Sequence, residues 1–266
     1  MATKNKSPHS TPGWTCGRII EKPKRRVEPA PAWHGRPAHV PKLTGETPVP
    51  LFDPSTPPML ILEKLLRSKV VVWTLLVVPG LWPLWPIFIR EDASVTADPL
   101  KYVLHHLGFV ACILLATVLS FSPLRVLWPK WGVVQALNRH RRLVGVAVFV
   151  YAALHLATHL VFEGGLELAA VPTTLKTAVG KPFQLTGLFA FTILLVLAAT
   201  SSNAAIKLLG GKVWKNIHRI VYLAAGLAVY HQAAARKLFP MQVVWIFAPL
   251  VILEIARVWK QRRAKA

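Results

Sequence analysis

The chain has 266 residues, 53% of them hydrophobic and only 16% charged, with a net charge of +21. A mean hydropathy of +0.44 excludes an ordinary soluble domain and bounds the chain to one membrane domain plus a tail. The positive charge is not interleaved with a base-stacking module, which argues against a nucleic-acid partner; Lys and Arg gathered beside the bilayer and facing anionic lipid account for it more simply.

Residues 1–60 are rich in Pro, Lys and Arg and lack apolar periodicity. Segments such as EKPKRR at 21–26 and STPP at 55–58 cannot bury enough surface to offset chain entropy, so a disordered, basic, cytoplasmic tail is expected. His9, His34 and His39 fall in it and are expected to be solvated. Residues 61–69, within MLILEKLLRSK at 59–69, have helical apolar spacing and are expected to lie on the membrane face.

Six apolar stretches follow, over 70–258. The first, Val70–Ile89, begins too late for a signal peptide. At about 1.5 Å per residue it is long enough for the roughly 30 Å hydrocarbon layer. Pro79, Pro83 and Pro86 predict a kinked or unwound exit. The second, Tyr102–Phe121, opens with His105 and His106. The third, Leu143–Phe162, carries His155 and His159. The fourth, Phe183–Ile206, is uncharged. The fifth, His218–Ala235, contains His231, and the sixth, Leu238–Val258, holds Glu254; both have short apolar cores. The expected fold is an all-α, six-span membrane bundle with a basic C-terminus over 259–266.

Alternate loops differ in charge. Lys64, Arg67 and Lys69 precede the first span. Arg125, Lys130, Arg139, Arg141 and Arg142 lie between the second and third. Lys207, Lys212 and Lys215 lie between the fourth and fifth, and Lys260, Arg262, Arg263 and Lys265 follow the sixth. The other loops hold Arg90, Glu91, Asp92, Asp98 and Lys101, then Glu163, Glu167, Lys176 and Lys181, then Arg236 and Lys237. The positive-inside rule places both termini in the cytoplasm.

An imidazole within a span is costly and functional by default, and histidine is a standard axial ligand of haem iron. His218 and His231 are thirteen residues apart, about 20 Å along a helix axis, which puts them near opposite faces of the bilayer. Spans three and five run in the same direction. His155 and His231 therefore reach similar depth and are expected to clamp one haem near the outer face. At the depth of His218, span three offers Arg141 with His140 beside it. A guanidinium stays protonated and suits a propionate rather than iron. His140 is a candidate second ligand there, or another group completes the site. Gly145 and Gly226 lie between the two depths, where glycine admits either a flat macrocycle or a neighbouring helix. Arg139, Arg142 and Arg219 are candidates for propionates or for the membrane surface. His159 shares a helix face with His155 and is read as a packing or supporting residue, and His105 as an interfacial one. Cys16 and Cys112 form no framework, and no C-x-x-C-H motif is present, so any haem is bound non-covalently.

Several segments resemble the MsrQ family of haem-binding membrane subunits. They are ADPLK at 97–101, HHLG at 105–108, RHRRLVG at 139–145 and YAALHL at 151–156. KPFQLTG at 181–187, LAATSS at 197–202 and WKNIHRIVYL at 214–223 follow, with His231 beyond. The resemblance implies the ferric-reductase-like transmembrane superfamily, whose NADPH oxidases bind two b-type haems through histidine pairs on two helices. The family histidines fall on His155, His218 and His231, and Arg141 stands where the oxidases have a fourth. The resemblance also implies FMN, with no site assigned. It implies delivery of electrons to an MsrP-like periplasmic molybdenum-cofactor reductase that repairs methionine sulfoxide, from the inner membrane. No nucleotide-binding motif is present, so quinol or a cytoplasmic flavin reductase is the expected donor. The weaker alternatives are a ferric or cupric reductase acting directly on metal ions, and a non-redox scaffold or transporter.

Overall fold

A computed structural model describes residues 58–235 and 240–264. The expected tail up to residue 57, with Cys16, His9, His34 and His39, lies outside the described residues, as do Arg236, Lys237 and Lys265. Among the described residues all regular structure is helical.

The segment expected on the membrane face forms helix α1 (Pro58–Arg67), which packs on a second amphipathic helix, α5 (Gly132–Arg139). The first span breaks as its prolines predict. Helix α2 (Lys69–Leu81) stops, and a π-helical turn covers Trp85–Ile89. Pro83 has no N–H to give the carbonyl of Pro79. The ring of His106 donates to that carbonyl instead, Nε2 to O 2.6 Å.

A short helix, α3 (Ala93–Thr96), is capped by Asp92, whose carboxylate accepts from the Ser94 amide and hydroxyl at 3.0 and 2.7 Å. Those two bonds hold the Asp92 carboxyl below the usual carboxylate range. Helix α4 (Pro99–Leu127) starts at an Asp98 cap with Pro99 in its first turn. This is a favourable opening on both counts, and it carries the helix beyond the apolar window at 102–121. After α5 (Gly132–Arg139) comes α6 (Arg141–Gly164), ended by Gly165 at φ +72°. Helix α7 (Val171–Val179) lies between α6 and α8 (Pro182–Ala199).

Two expected boundaries are corrected. The fourth apolar run does not continue to Ile206. It ends at Ala199, and a new helix, α9 (Asn203–Leu209), begins with the Ser202 hydroxyl capping the Ala205 amide at 3.0 Å. Ser and Thr hydroxyls compete with the helical ladder, and here they break it. Nor does His218 open the fifth span. It is the last residue of α10 (Gly211–His218), and α11 (Val221–Ala234) follows across Arg219 and Ile220. The joint is bridged by i to i−3 main-chain bonds, a local tightening to 3₁₀ geometry. The last helix is α12 (Met241–Arg263).

Among the described residues four helices, α4, α6, α8 and α12, are long and apolar enough to cross a membrane. The other two expected spans are represented by shorter helices, α2 of 13 residues and α11 of 14. The chain is thus a membrane-embedded helical bundle, and four of its six expected spans have helices long enough to cross among the described residues. Helix α4 packs against α6 and α12, and α8 pairs with α11. Leu119 of α4 and Val148 of α6 are fully buried, and Ala224 of α11 is 0% exposed. Lipid supplies no hydrophobic drive between helices, so close contact at small residues such as Ala224 and Ala225 matters. The one carboxylate of α12, Glu254, is satisfied by the Tyr222 hydroxyl at 3.0 Å and by Arg257 at 2.9 Å.

Candidate cofactor site between two histidines

Helices α6 and α11 bring His155 and His231 together. Their ring centroids are 6.1 Å apart and their planes stand at 82°. Each ring is fixed from a different neighbouring helix. His155 Nδ1 donates to the Leu104 carbonyl of α4 at 2.9 Å, and His231 Nδ1 donates to the Phe183 carbonyl of α8 at 2.6 Å. A proton on Nδ1 leaves Nε2 as the lone-pair nitrogen, the tautomer a metal requires. Metal–imidazole bonds of about 2 Å on opposite sides of one metal set the ring centroids roughly 6 Å apart. The observed separation meets that condition.

Both rings line a cleft of about 310 Å³, walled mostly by apolar side chains of α4, α6, α8 and α11. Polar groups enter near the helix ends: Lys101, His105, His159 and Glu163. His105 is bonded within its own helix, Nδ1 to the Lys101 carbonyl at 2.9 Å. Among the described residues no group of three or more His, Cys, Asp or Glu side chains converges on a metal position. Two imidazoles alone suit a metal that brings its remaining ligands with it, in a flat cofactor.

The glycines beside this pair were not singled out by sequence reasoning. A Cβ on Gly108 would stand 3.0 Å from the His155 ring, and one on Gly187 would stand 2.6 Å from His231 Nδ1. Gly145 and Gly226, which were singled out, face no neighbouring atom within 4 Å of such a Cβ.

The other end of α11 is built differently. His218 donates through Nδ1 to the Trp214 carbonyl of its own helix at 3.1 Å, and its Nε2 stands 3.5 Å from the Ser201 hydroxyl. The Trp214 ring lies 4.1 Å from the His218 ring, centroid to centroid. Arg141 and Arg142 are close enough to act on His218 electrostatically. Arg142 itself is bonded to the Ser201 carbonyl and to Asn203 Oδ1 at 2.7 Å. His140 is 8% exposed, and its Nε2 is buried without a partner. No ring contact or hydrogen bond joins it to His218 among the described residues.

Residues 107–229 match the family model of the ferric reductase like transmembrane component. That stretch includes His155 and His218 and stops two residues before His231. Curated relatives extend the likeness. The protein-methionine-sulfoxide reductase heme-binding subunit MsrQ of Brucella anthropi is 32% identical over 180 residues, 68% of this chain and 77% of the relative. The chain belongs to the MsrQ family. The MsrQ of Herminiimonas arsenicoxydans is 33% identical over 216 residues, covering 79% of this chain and 92% of the relative. That of Polaromonas naphthalenivorans is 34% identical, covering 66% and 78%. No solved structure matches. Three segments that carry the MsrQ resemblance acquire a physical meaning here. HHLG supplies Gly108, YAALHL supplies His155, and KPFQLTG supplies both the carbonyl that holds His231 and the glycine against its ring.

Proposed function

We propose that the chain is the haem b-binding, electron-transferring membrane subunit of a methionine sulfoxide reductase system. One observation carries the proposal: two imidazoles from different helices, 6.1 Å apart, each tied at Nδ1 and with no hydrogen bond at Nε2 among the described residues. Bound haem supplies a one-electron couple whose potential follows its axial ligands and burial. His155 and His231 would hold the iron, main-chain carbonyls orient both rings, and the apolar walls of the cleft exclude water. Lys101 and His105 stand at the mouth, where a carboxylate side group would meet positive charge or a donor.

At the other end His218 is the proposed ligand of a second haem, with Arg141 as the partner of a propionate. His140 serves there only if a movement frees its sealed Nε2. The resemblance alone brings FMN, and no residue is assigned to it. The charge bias of the loops supports a bacterial inner-membrane protein with both termini in the cytoplasm. The partner is an MsrP-like periplasmic reductase that acts on oxidised methionine. The donor is quinol or a cytoplasmic flavin reductase.

The test is a reduced-minus-oxidised absorption spectrum of protein purified from haem-replete cells, with haem quantified per chain. Bands of b-type haem at one or two per chain are expected. Their absence under those conditions rejects the proposal. Reoxidation of the reduced protein by an MsrP-like reductase plus methionine sulfoxide, but by neither alone, checks the partner.

A further inference from the structure

Several side chains in the bundle donate to main-chain carbonyls of a neighbouring helix, His106 to Pro79 and Asn138 to Phe121 among them, and three of the other acceptors share one feature. Tyr151 Oη donates to the Leu76 carbonyl at 2.6 Å, His155 Nδ1 to Leu104, and His231 Nδ1 to Phe183. In each case the residue four positions after the acceptor is glycine: Gly80, Gly108 and Gly187. A helical carbonyl already accepts from the amide four residues on. The side chain of that residue leans back toward the N-terminus, over the same carbonyl. Glycine there leaves the oxygen open from the side. The contacts agree, because a Cβ at each position would fall on the donor itself. It would lie 2.7 Å from Tyr151 Oη, 3.0 Å from His155 Nδ1 and 2.6 Å from His231 Nδ1.

We infer that Gly108 and Gly187 are positioning residues: they open the Leu104 and Phe183 carbonyls to the two axial imidazoles and so set how strongly those imidazoles donate to iron. The inference rests on the haem reading above. A carbonyl accepting from Nδ1–H makes the ring a stronger donor through Nε2, which favours the oxidised metal. Closing the window weakens that donation and favours the reduced metal. Gly80 is the matched control, with the same window and no ligand in it.

The experiment compares wild type with Gly187→Ala, Gly108→Ala and Gly80→Ala, all as purified haem-bound protein, by redox titration of the haem absorbance. Gly187→Ala is expected to move the midpoint upward by about a tenfold change in the reduced-to-oxidised ratio, 59 mV for one electron. Gly108→Ala moves it the same way by less, because the contact at 3.0 Å yields more readily. Gly80→Ala leaves it in place. An unchanged midpoint in both ligand-side variants, or an equal shift in Gly80→Ala, overturns the inference. Should the ligand-side variants fail to fold, the reduced wild type labelled with ¹⁵N-histidine decides by NMR. Nδ1–H protons slow to exchange with solvent are expected on both His155 and His231, and rapidly exchanging or unprotonated Nδ1 atoms there overturn the inference. A wild type without haem instead rejects the haem reading itself, so the two failures are distinguishable.

Discussion

At one end of the bundle two imidazoles from α6 and α11 stand 6.1 Å apart, and each is held by a carbonyl of another helix. At the other end His218 is bonded to its own helix, with a hydroxyl at its second nitrogen and arginines around it. Both ends place a histidine on or beside the same helix, yet only the first shows two rings at the spacing one metal requires. A histidine in a span is therefore not sufficient to define a ligand. The first end adds a carbonyl from a separate helix that fixes each Nδ1 and a partner ring at matched depth.

The largest effect that would break this comparison is loss of either ring at the first end. His155→Ala and His231→Ala are each expected to remove the whole spectrum of that centre, and the double variant to cost no more than either single one. Residues acting as one unit are not additive. Difference spectra of the three proteins check this. Next in size, His218→Ala is expected to remove only what the second end contributes to haem content, leaving the first centre's bands intact. Equal loss of both centres would mean the ends are not separate. Arg141→His offers a second imidazole where the structure has a guanidinium, and haem per chain should rise or the second centre's bands sharpen. The smallest effect lies away from both ends. Tyr151→Phe removes one buried bond to Leu76 and should cost about 1 kcal/mol of stability, read by thermal unfolding, with the spectrum unchanged.

Much of this was legible in the residues. Apolar runs located the core of each helix, and the shared direction of two spans matched His155 to His231 in depth. What escaped was polar and main-chain detail. Apolarity alone continued the fourth run through Thr200–Asn203, where the Ser202 cap starts a new helix. It also joined His218 to α11 across a joint held by i to i−3 bonds. Gly108 and Gly187 escaped for a different reason. Their role is to uncover a carbonyl on their own helix for a ring on another, and a single sequence shows neither the carbonyl nor the ring. The prolines of the first span were readable because their missing N–H acts locally, whatever surrounds it.

The central claim is that His155 and His231 bind one iron from both sides with their planes near the observed 82°. Crossed ligand planes leave two iron d orbitals nearly equal in energy, which makes the oxidised low-spin signal strongly anisotropic. Low-temperature electron paramagnetic resonance of the oxidised wild-type protein measures this directly. The account predicts a strongly anisotropic low-spin signal that disappears in His155→Ala and in His231→Ala. Absence of that anisotropic signal from the wild type, or its survival after either substitution, would contradict it.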